Sequence, residues 1–244
     1  MSATPAPDST KKIYPPVELP KCPYATEPPS PDDYGDVINI VVGEGATKRT
    51  FAVYEGLLKH YSSYFKTALK KEWAGEDCRM LELPDDDPEA LRAFFNWTLT
   101  KKLYPRLAQD GSIPLCSQAI CMIYIFGDMR GIPELCNAAI DLLFQKHCQE
   151  WSFVRQDVQL AYGLTMEGSA LRKFFVNDTM ETYIFTTPES NEGWPQDFLL
   201  DVLKGVGTRQ ILLGQLCGMS KGKWIHTRKL EICSKYHDHS GRDI

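Results

Sequence analysis

The segment from Asp36 to Phe65 constrains the fold more than any other, because its hydrophobic period changes partway along it. Its first part contains two runs rich in β-branched and aromatic residues, Val37–Val42 and Thr50–Tyr54, separated by a turn with two glycines. Such runs predict a β-hairpin. A helical stripe then begins at Leu57 and is interrupted at Ser62-Ser63. Two strands that lead directly into an amphipathic helix predict a domain of mixed α and β structure.

In their order and spacing these elements resemble a BTB/POZ domain. Members of that family begin with an aspartate and a hydrophobic strand, continue with a Phe-x-Val-His-x-x-x-Leu segment, and then have a Ser-x-x-Phe helix. The matching residues here are Asp36-Val37, Phe51–Tyr54, Leu57-Leu58 and Ser62–Phe65, with Tyr54 in place of the usual histidine. The resemblance implies the α+β BTB/POZ fold, a small mixed sheet packed on a cluster of helices.

The resemblance extends over residues 36–150. Met80–Pro84 is similar to the third strand of the family, and Gly131–Asp141 is similar to the last core helix of fungal BTB proteins. Between them, Asp87-Pro88 provides a capping side chain and a proline suited to the first helical position. Residues 119–126 are apolar on every side, which predicts a helix buried in the middle of the domain.

Composition divides the chain into four parts. Residues 1–31 hold 9 of the 16 prolines and little that could pack, so we expect a disordered arm. Residues 36–150 form the BTB-like domain, and residues 151–218 form a mostly α-helical extension. Residues 219–244 form a basic tail that contains cysteine and histidine. Within the extension, apolar stripes predict three helices, around residues 171–175, 198–203 and 211–216. Breaks are predicted at Thr187–Pro195 and at Gly205–Thr208.

The sequence favours a binding protein over an enzyme. It has no Gly-x-Ser-x-Gly elbow, no Walker loop and no His-Glu-x-x-His motif. The acidic run Asp85–Asp87 directly precedes Pro88, so we interpret it as a helix cap rather than a cation site. The N-terminal residues lack the apolar core of a signal peptide, and no apolar run is long enough to cross a bilayer. We therefore expect a location in the cytoplasm or nucleus, without membrane contact.

BTB/POZ domains are interaction domains, so the resemblance implies protein partners. Many members recruit substrates to a cullin-based ubiquitin ligase through a hydrophobic-x-Glu motif after the Ser-x-x-Phe helix. Here Leu69, Trp73 and Glu76 are the candidate partner-binding residues, but Lys71 occupies the glutamate position and Glu76 comes one residue late. Cullin docking is therefore implied by the resemblance, and these departures from the motif argue against it. Self-association stays open, although the proline-rich residues before Asp36 disfavour a strand-swapped dimer.

Cys233, His237 and His239 lie close together near the end of the sequence. Thiolate and imidazole are groups that zinc binds tetrahedrally, and His226 would be a fourth ligand. The Cys-x-x-x-Tyr-His-x-His ending is also similar to tails of fungal BTB proteins. Because the spacing is not that of a zinc finger and lacks a Cys-x-x-Cys pair, a solvated tail without a cofactor is the favoured interpretation, with zinc as the alternative.

The tail is also the only part of the sequence whose composition suits nucleic acid. It combines Trp224 and Tyr236, which could stack on bases, with several cations. These are Lys221, Lys223, Arg228, Lys229 and Lys235. The formal net charge of the chain, -5, argues against nucleic-acid binding. Two hypotheses follow: a BTB-type scaffold or adaptor, or a metal-stabilised regulatory protein whose tail binds a partner or nucleic acid.

Overall fold

The computed structural model describes residues 15–70, 80–151, 155–182, 193–209 and 220–240. These ranges have the mixed α and β structure that the sequence predicts, with more helix than strand. The helices are α1 (Glu55–Tyr61), α2 (Ser63–Ala68), α3 (Pro88–Thr100), α4 (Ser117–Met129), α5 (Pro133–Glu150), α6 (Arg155–Leu164), α7 (Ala170–Thr182), α8 (Gln196–Arg209) and α9 (Lys221–Tyr236). Within the described ranges, no helix combines the length and the apolar character needed to cross a membrane.

The sheet consists of β1 (Val37–Val42), β2 (Arg49–Tyr54) and β3 (Met80–Leu83), in the order β2-β1-β3. The predicted hairpin is confirmed, since β1 pairs antiparallel with β2. β3 forms where the third strand was expected and pairs parallel with β1. The side chains of Ile38, Ile40 and Val42 are buried, so this face of the central strand belongs to the core.

Local side-chain hydrogen bonds set two of the helix boundaries that the sequence predicts. Ser62 ends α1 and caps α2, because its Oγ accepts a hydrogen bond from the Phe65 backbone amide at 3.0 Å. The same hydroxyl donates to the Arg130 carbonyl at 2.6 Å and so ties this break to the end of α4. At the start of α3, Asp87 Oδ1 accepts from the Glu89 amide at 3.0 Å, which confirms the capping interpretation.

The centre of the core is α4, as the apolar run predicts. It packs against α3, α5 and α6, and the side chains from Ile120 to Phe126 are buried except for the half-buried Met122. Beside it, Asp86 forms a buried ion pair with Arg130, with Nε at 3.0 Å and Nη2 at 2.6 Å from the same carboxylate oxygen. Only Asp87 of the acidic run is therefore a cap, while Asp86 joins the β3–α3 turn to α4.

The helical extension is partly as predicted. α7 and α8 form around the expected stripes, and α6 is an additional helix. The predicted break at Gly205–Thr208 is wrong, because α8 continues to Arg209. Gly205 has a packing role within the helix, since a Cβ at this position would lie 2.7 Å from Met180 Sδ on α7. The third predicted helix, residues 211–216, lies outside the described residues.

Both ends of the chain differ from expectation. The arm was expected to be disordered, but its described part, from residue 15, runs along the core with Val17 and Leu19 packed against it. The Gln145 side chain on α5 donates a 2.7 Å hydrogen bond to the Val17 carbonyl. The solvated-tail interpretation is also wrong, because most of residues 220–240 forms α9, which buries Trp224, Ile232 and Tyr236. Long-range packing, which neither local sequence specifies, fixes both segments.

Candidate metal centre

Four potential metal ligands from opposite ends of the chain meet beside α5. They are Cys22 on the N-terminal arm and Cys233, His237 and His239 around the end of α9. Their donor atoms all lie within 4.8 Å of one another. Two thiols and two imidazoles at this separation could hold a metal ion.

The separations between the donor atoms fit a tetrahedral ion. Zinc-type bonds of about 2.3 Å to sulfur and about 2.0 Å to nitrogen give tetrahedral edges of about 3.8 Å between two sulfurs and about 3.5 Å between sulfur and nitrogen. The Sγ atoms of Cys22 and Cys233 are 3.6 Å apart. His239 Nε2 lies 3.4 Å from Cys233 Sγ and 3.9 Å from Cys22 Sγ. Three donor separations thus match the edges of a tetrahedral site, and the others are at most 4.8 Å.

His237 is oriented by a carboxylate on α5. Its Nε2 lies 2.9 Å from Asp141 Oδ1, so this nitrogen carries a proton and donates to the carboxylate. The imidazole is only 5% exposed, and its Nδ1 is buried without a hydrogen-bond partner among the described residues. A carboxylate on one imidazole nitrogen and a metal on the other is the usual arrangement around a histidine ligand. The orphaned Nδ1 is therefore the atom with which His237 would hold a metal ion.

Other contacts hold the remaining ligands in place. His237 follows Cys233 by four residues, so the two lie on one side of the last helical turn, and the His237 amide donates to the Cys233 carbonyl. The next residue, Asp238, exchanges two backbone hydrogen bonds with the Asn137 side chain on α5, at 2.8 and 3.0 Å. The ring of His239 packs on Tyr24, with centroids 4.6 Å apart. The site is therefore built into the fold.

On the arm, a tight turn presents the cysteine. The Ala25 amide donates to the Cys22 carbonyl at 3.3 Å, which closes a turn with Pro23 at its second position. Proline suits this position because its ring fixes φ near the value that common turns require. The turn places Cys22 beside the end of α9, 211 positions before Cys233 in the sequence.

The protonation states of the metal-free site follow from its neighbours. Burial, the largest single influence, would raise the pKa of Cys22, but His237, the Tyr24 backbone and Cys233 together outweigh it and lower this pKa. Burial and the adjacent Cys22 raise the pKa of Cys233 to about 11. For His237, burial would lower the pKa, whereas Asp141 and Cys22 raise it. The lowered pKa of Cys22 and the raised pKa of His237 both favour the charged form of the group, and a metal ion that binds here displaces the protons that remain on its ligands.

Three of the four ligands were predicted, and one was missed. Cys233, His237 and His239 come together as the zinc alternative expects. His226 does not join them, because it is exposed and lies seven residues before Cys233, about 10 Å away along the helix. The fourth group is Cys22 instead. Its only sequence signal is a single cysteine between prolines in a segment that otherwise resembles a linker.

The candidate partner-binding residues are not part of this site. Leu69 is 4% exposed and packs in the core, so its side chain is not on the surface. Trp73 and Glu76 lie outside the described residues.

A second group of buried ionisable residues holds α9 on the core. Glu181 on α7 accepts hydrogen bonds from the Trp224 indole at 3.0 Å and forms an ion pair with Arg228 at 2.6 Å. Close by, His147 Nε2 lies 3.3 Å from Asp178 Oδ1, and both side chains are almost fully buried. Burial, followed by the charge of Glu181, raises the pKa of Asp178 well above its ordinary value. The Glu181 contacts fix the helix that supplies three of the candidate ligands.

No protein-family model matches the chain, and no curated protein is significantly similar to it. The likeness to BTB/POZ domains therefore rests on the residues quoted above and on the order of the secondary-structure elements. The metal centre rests on geometry alone.

Proposed function

We propose that the chain is a non-catalytic protein interaction module of BTB type, held together by one structural zinc ion. The observation that carries the proposal is the convergence of two thiols and two imidazoles from opposite ends of the chain. Two sulfur and two nitrogen donors in a tetrahedron suit zinc better than other common biological metals. Four protein ligands complete the coordination of such an ion, so no position remains for a substrate, which favours a structural role.

The order of elements supports the BTB part of the proposal. A hairpin is followed by two helices with a serine at the break, a parallel third strand and then a helix with an Asp-Pro start. This order is the one that the quoted residues imply for the family. The zinc site would add a link between the segments on either side of that domain, which are the arm and α9.

A link between the arm and α9 through the ion would hold both segments in a fixed position on the domain, where they form a surface for partners. α9 packs on both α5 and α7, so an ion at its end holds the extension and the arm against the BTB-like core at one point. We propose that this assembly recruits protein partners as a scaffold or adaptor. A cullin is the first partner to test, because Trp73 and Glu76 belong to the altered docking motif.

The structure gives no support to nucleic acid as the partner of the tail. Trp224 and Tyr236, the two aromatic residues suited to stacking on bases, are 6% and 9% exposed. Trp224 donates to Glu181, and Asn177 donates to the Tyr236 hydroxyl at 3.0 Å. Among the basic residues, Arg228 and Lys235 form ion pairs with Glu231. We therefore propose protein partners only.

Calorimetric titration of the zinc-loaded chain with the N-terminal domain of the BTB-binding cullin tests the adaptor function. Micromolar or tighter binding that is weakened in Trp73→Ala supports it, and His226→Ala, on exposed α9 surface, is the matched control. Light scattering on the same samples reports self-association. A folded, zinc-loaded protein that neither binds the cullin domain nor self-associates contradicts the proposed interactions.

A further inference from the structure

The two sulfur atoms of the metal centre are close enough to react with each other. Cys22 Sγ and Cys233 Sγ are 3.6 Å apart, and a disulfide bond requires about 2.05 Å. The gap to be closed is therefore about 1.5 Å. Both cysteines are partly exposed, whereas Cys121, Cys136 and Cys148 are buried within helices.

A small oxidant can reach Cys22, one member of this pair, through a neighbouring cleft. The cleft has a volume of about 330 Å³ and is lined by three of the four ligands, Cys22, His237 and His239. Other side chains at its wall include Tyr24 and Lys101. Hydrogen peroxide is of the size of two water molecules, so this space admits it easily.

The turn that carries Cys22 is the element that would move to bring the sulfurs together. Cys22 lies in a turn outside the helices and strands, and its backbone carbonyl accepts the turn-closing bond from Ala25. Cys233, in contrast, lies in the last turn of α9. Closing the gap therefore requires a shift of the turn rather than of α9.

We infer that Cys22 and Cys233 form a redox-active pair, which a peroxide converts into a disulfide with release of the metal ion. This inference rests on the proposed function, because it needs the metal centre. Loss of both sulfur ligands leaves only His237 and His239, which are too few to retain zinc. The disulfide then replaces the ion as the link between the arm and α9.

The reaction balances with one peroxide. A thiolate attacks a peroxide oxygen and breaks the O–O bond, which gives a sulfenic acid and a hydroxide that takes a proton from solvent to form water. The second thiolate attacks the sulfenic sulfur, forms the S–S bond and releases a hydroxide, which becomes the second water after protonation. Two electrons pass from the sulfurs to the peroxide, and the zinc ion leaves as Zn²⁺.

The test uses the full zinc-loaded chain and hydrogen peroxide. Zinc content is measured first, and peroxide is then added in known equivalents while a chromogenic chelator reports free zinc. Peptide mapping without reduction identifies the cross-linked cysteines. We expect one zinc released per chain, a Cys22–Cys233 cross-link, and recovery of zinc binding after a dithiol reductant. Cys116→Ser, which removes an exposed cysteine outside the centre, should behave like the unmodified chain.

The outcomes distinguish failure of the redox pair from failure of the proposed zinc site. A chain that contains zinc but keeps it in peroxide, or that links Cys22 to Cys78 or Cys217 instead, overturns the redox pair and leaves the zinc site standing. Oxidation of single cysteines to sulfinic acid without a cross-link also overturns it. A folded chain without zinc before the addition of peroxide refutes the metal centre and, with it, this inference.

Discussion

Replacing Cys22 by serine removes the link that the metal makes between the arm and α9, and keeps the three candidate ligands near the end of α9. The other three ligands lie within residues 233–239, so Cys22 alone carries the connection across 211 positions of sequence. A cross-link that closes a loop of this size restricts the unfolded chain by about 5 kcal/mol in the loop-entropy model. We take this as the upper limit and expect Cys22→Ser to lower the free energy of unfolding by about 3 to 5 kcal/mol.

Urea denaturation with and without a zinc chelator measures this change. The chelator should lower the unfolding midpoint of the unmodified zinc-loaded chain to nearly that of Cys22→Ser. The variant itself should respond weakly to the chelator, because three ligands bind zinc less tightly than four. Cys116→Ser, an exposed cysteine outside the centre, should keep the stability and the chelator response of the unmodified chain.

Amide hydrogen exchange shows which segments the Cys22→Ser substitution destabilises. The arm residues from 15 to 31 should exchange faster in Cys22→Ser, whereas the amides of α4 in the core should change only through global stability. The reasoning is refuted if the chelator changes neither protein, or if it destabilises Cys22→Ser as much as the unmodified chain. The second result would mean that zinc binds without the arm.

Three further predictions concern single side chains. Asp141→Ala should weaken zinc binding by about 10- to 100-fold in a competition titration, because His237 loses the carboxylate that orients it. Arg130→Met should lower the free energy of unfolding by about 3 to 5 kcal/mol, because it leaves the Asp86 carboxylate buried without its partner. Asp178→Asn should make the thermal unfolding midpoint less sensitive to pH. As the pH rises above about 4, the midpoint of this variant should exceed that of the unmodified chain by a growing margin.

The sign of the last effect follows from the raised pKa. Folded Asp178 keeps a proton that the unfolded chain loses above about pH 4, so its contribution to stability is present at low pH and is lost as the pH rises toward the folded pKa. Asparagine cannot ionise, so the variant does not lose stability in this way as the pH rises. A lower midpoint for Asp178→Asn at neutral pH would contradict the prediction and indicate an ion pair with protonated His147, which lies 3.3 Å away.

Matched control variants test the predictions for Asp141→Ala and Arg130→Met. His226→Ala, in the same helix as Cys233 but outside the centre, should bind zinc as the unmodified chain does, and equal losses in His226→Ala and Asp141→Ala would contradict the assigned role. Arg92→Met breaks an exposed pair with Glu89 and should cost about 0 to 1 kcal/mol. Equal costs for Arg92→Met and Arg130→Met would argue against the buried ion pair.

Features set by neighbouring residues could be predicted from the sequence. The hairpin depends on the period of β1 and β2, the start of α3 depends on Asp87 and Pro88, and the break at Ser62 depends on a side chain that caps the next helix. Three candidate metal ligands were found for the same reason, because Cys233, His237 and His239 lie within one short segment of the sequence.

Features set by contacts between residues far apart in the sequence could not be predicted from it. Cys22 joins the candidate ligands only because the arm reaches the end of α9, and nothing around Cys22 in the sequence indicates that contact. The pair of glycines in α8 resembles a break until Gly205 is seen against Met180. The burial of Trp224 likewise depends on Glu181, a residue of another helix.

X-ray absorption at the zinc edge tests the central claim most directly, because it reports the atoms around the ion without any variant. The account predicts one zinc per chain with two sulfur neighbours at about 2.3 Å and two nitrogen neighbours at about 2.0 Å. Three or four nitrogen or oxygen neighbours with no sulfur, or a folded chain that retains no zinc, would contradict a centre built from Cys22, Cys233, His237 and His239.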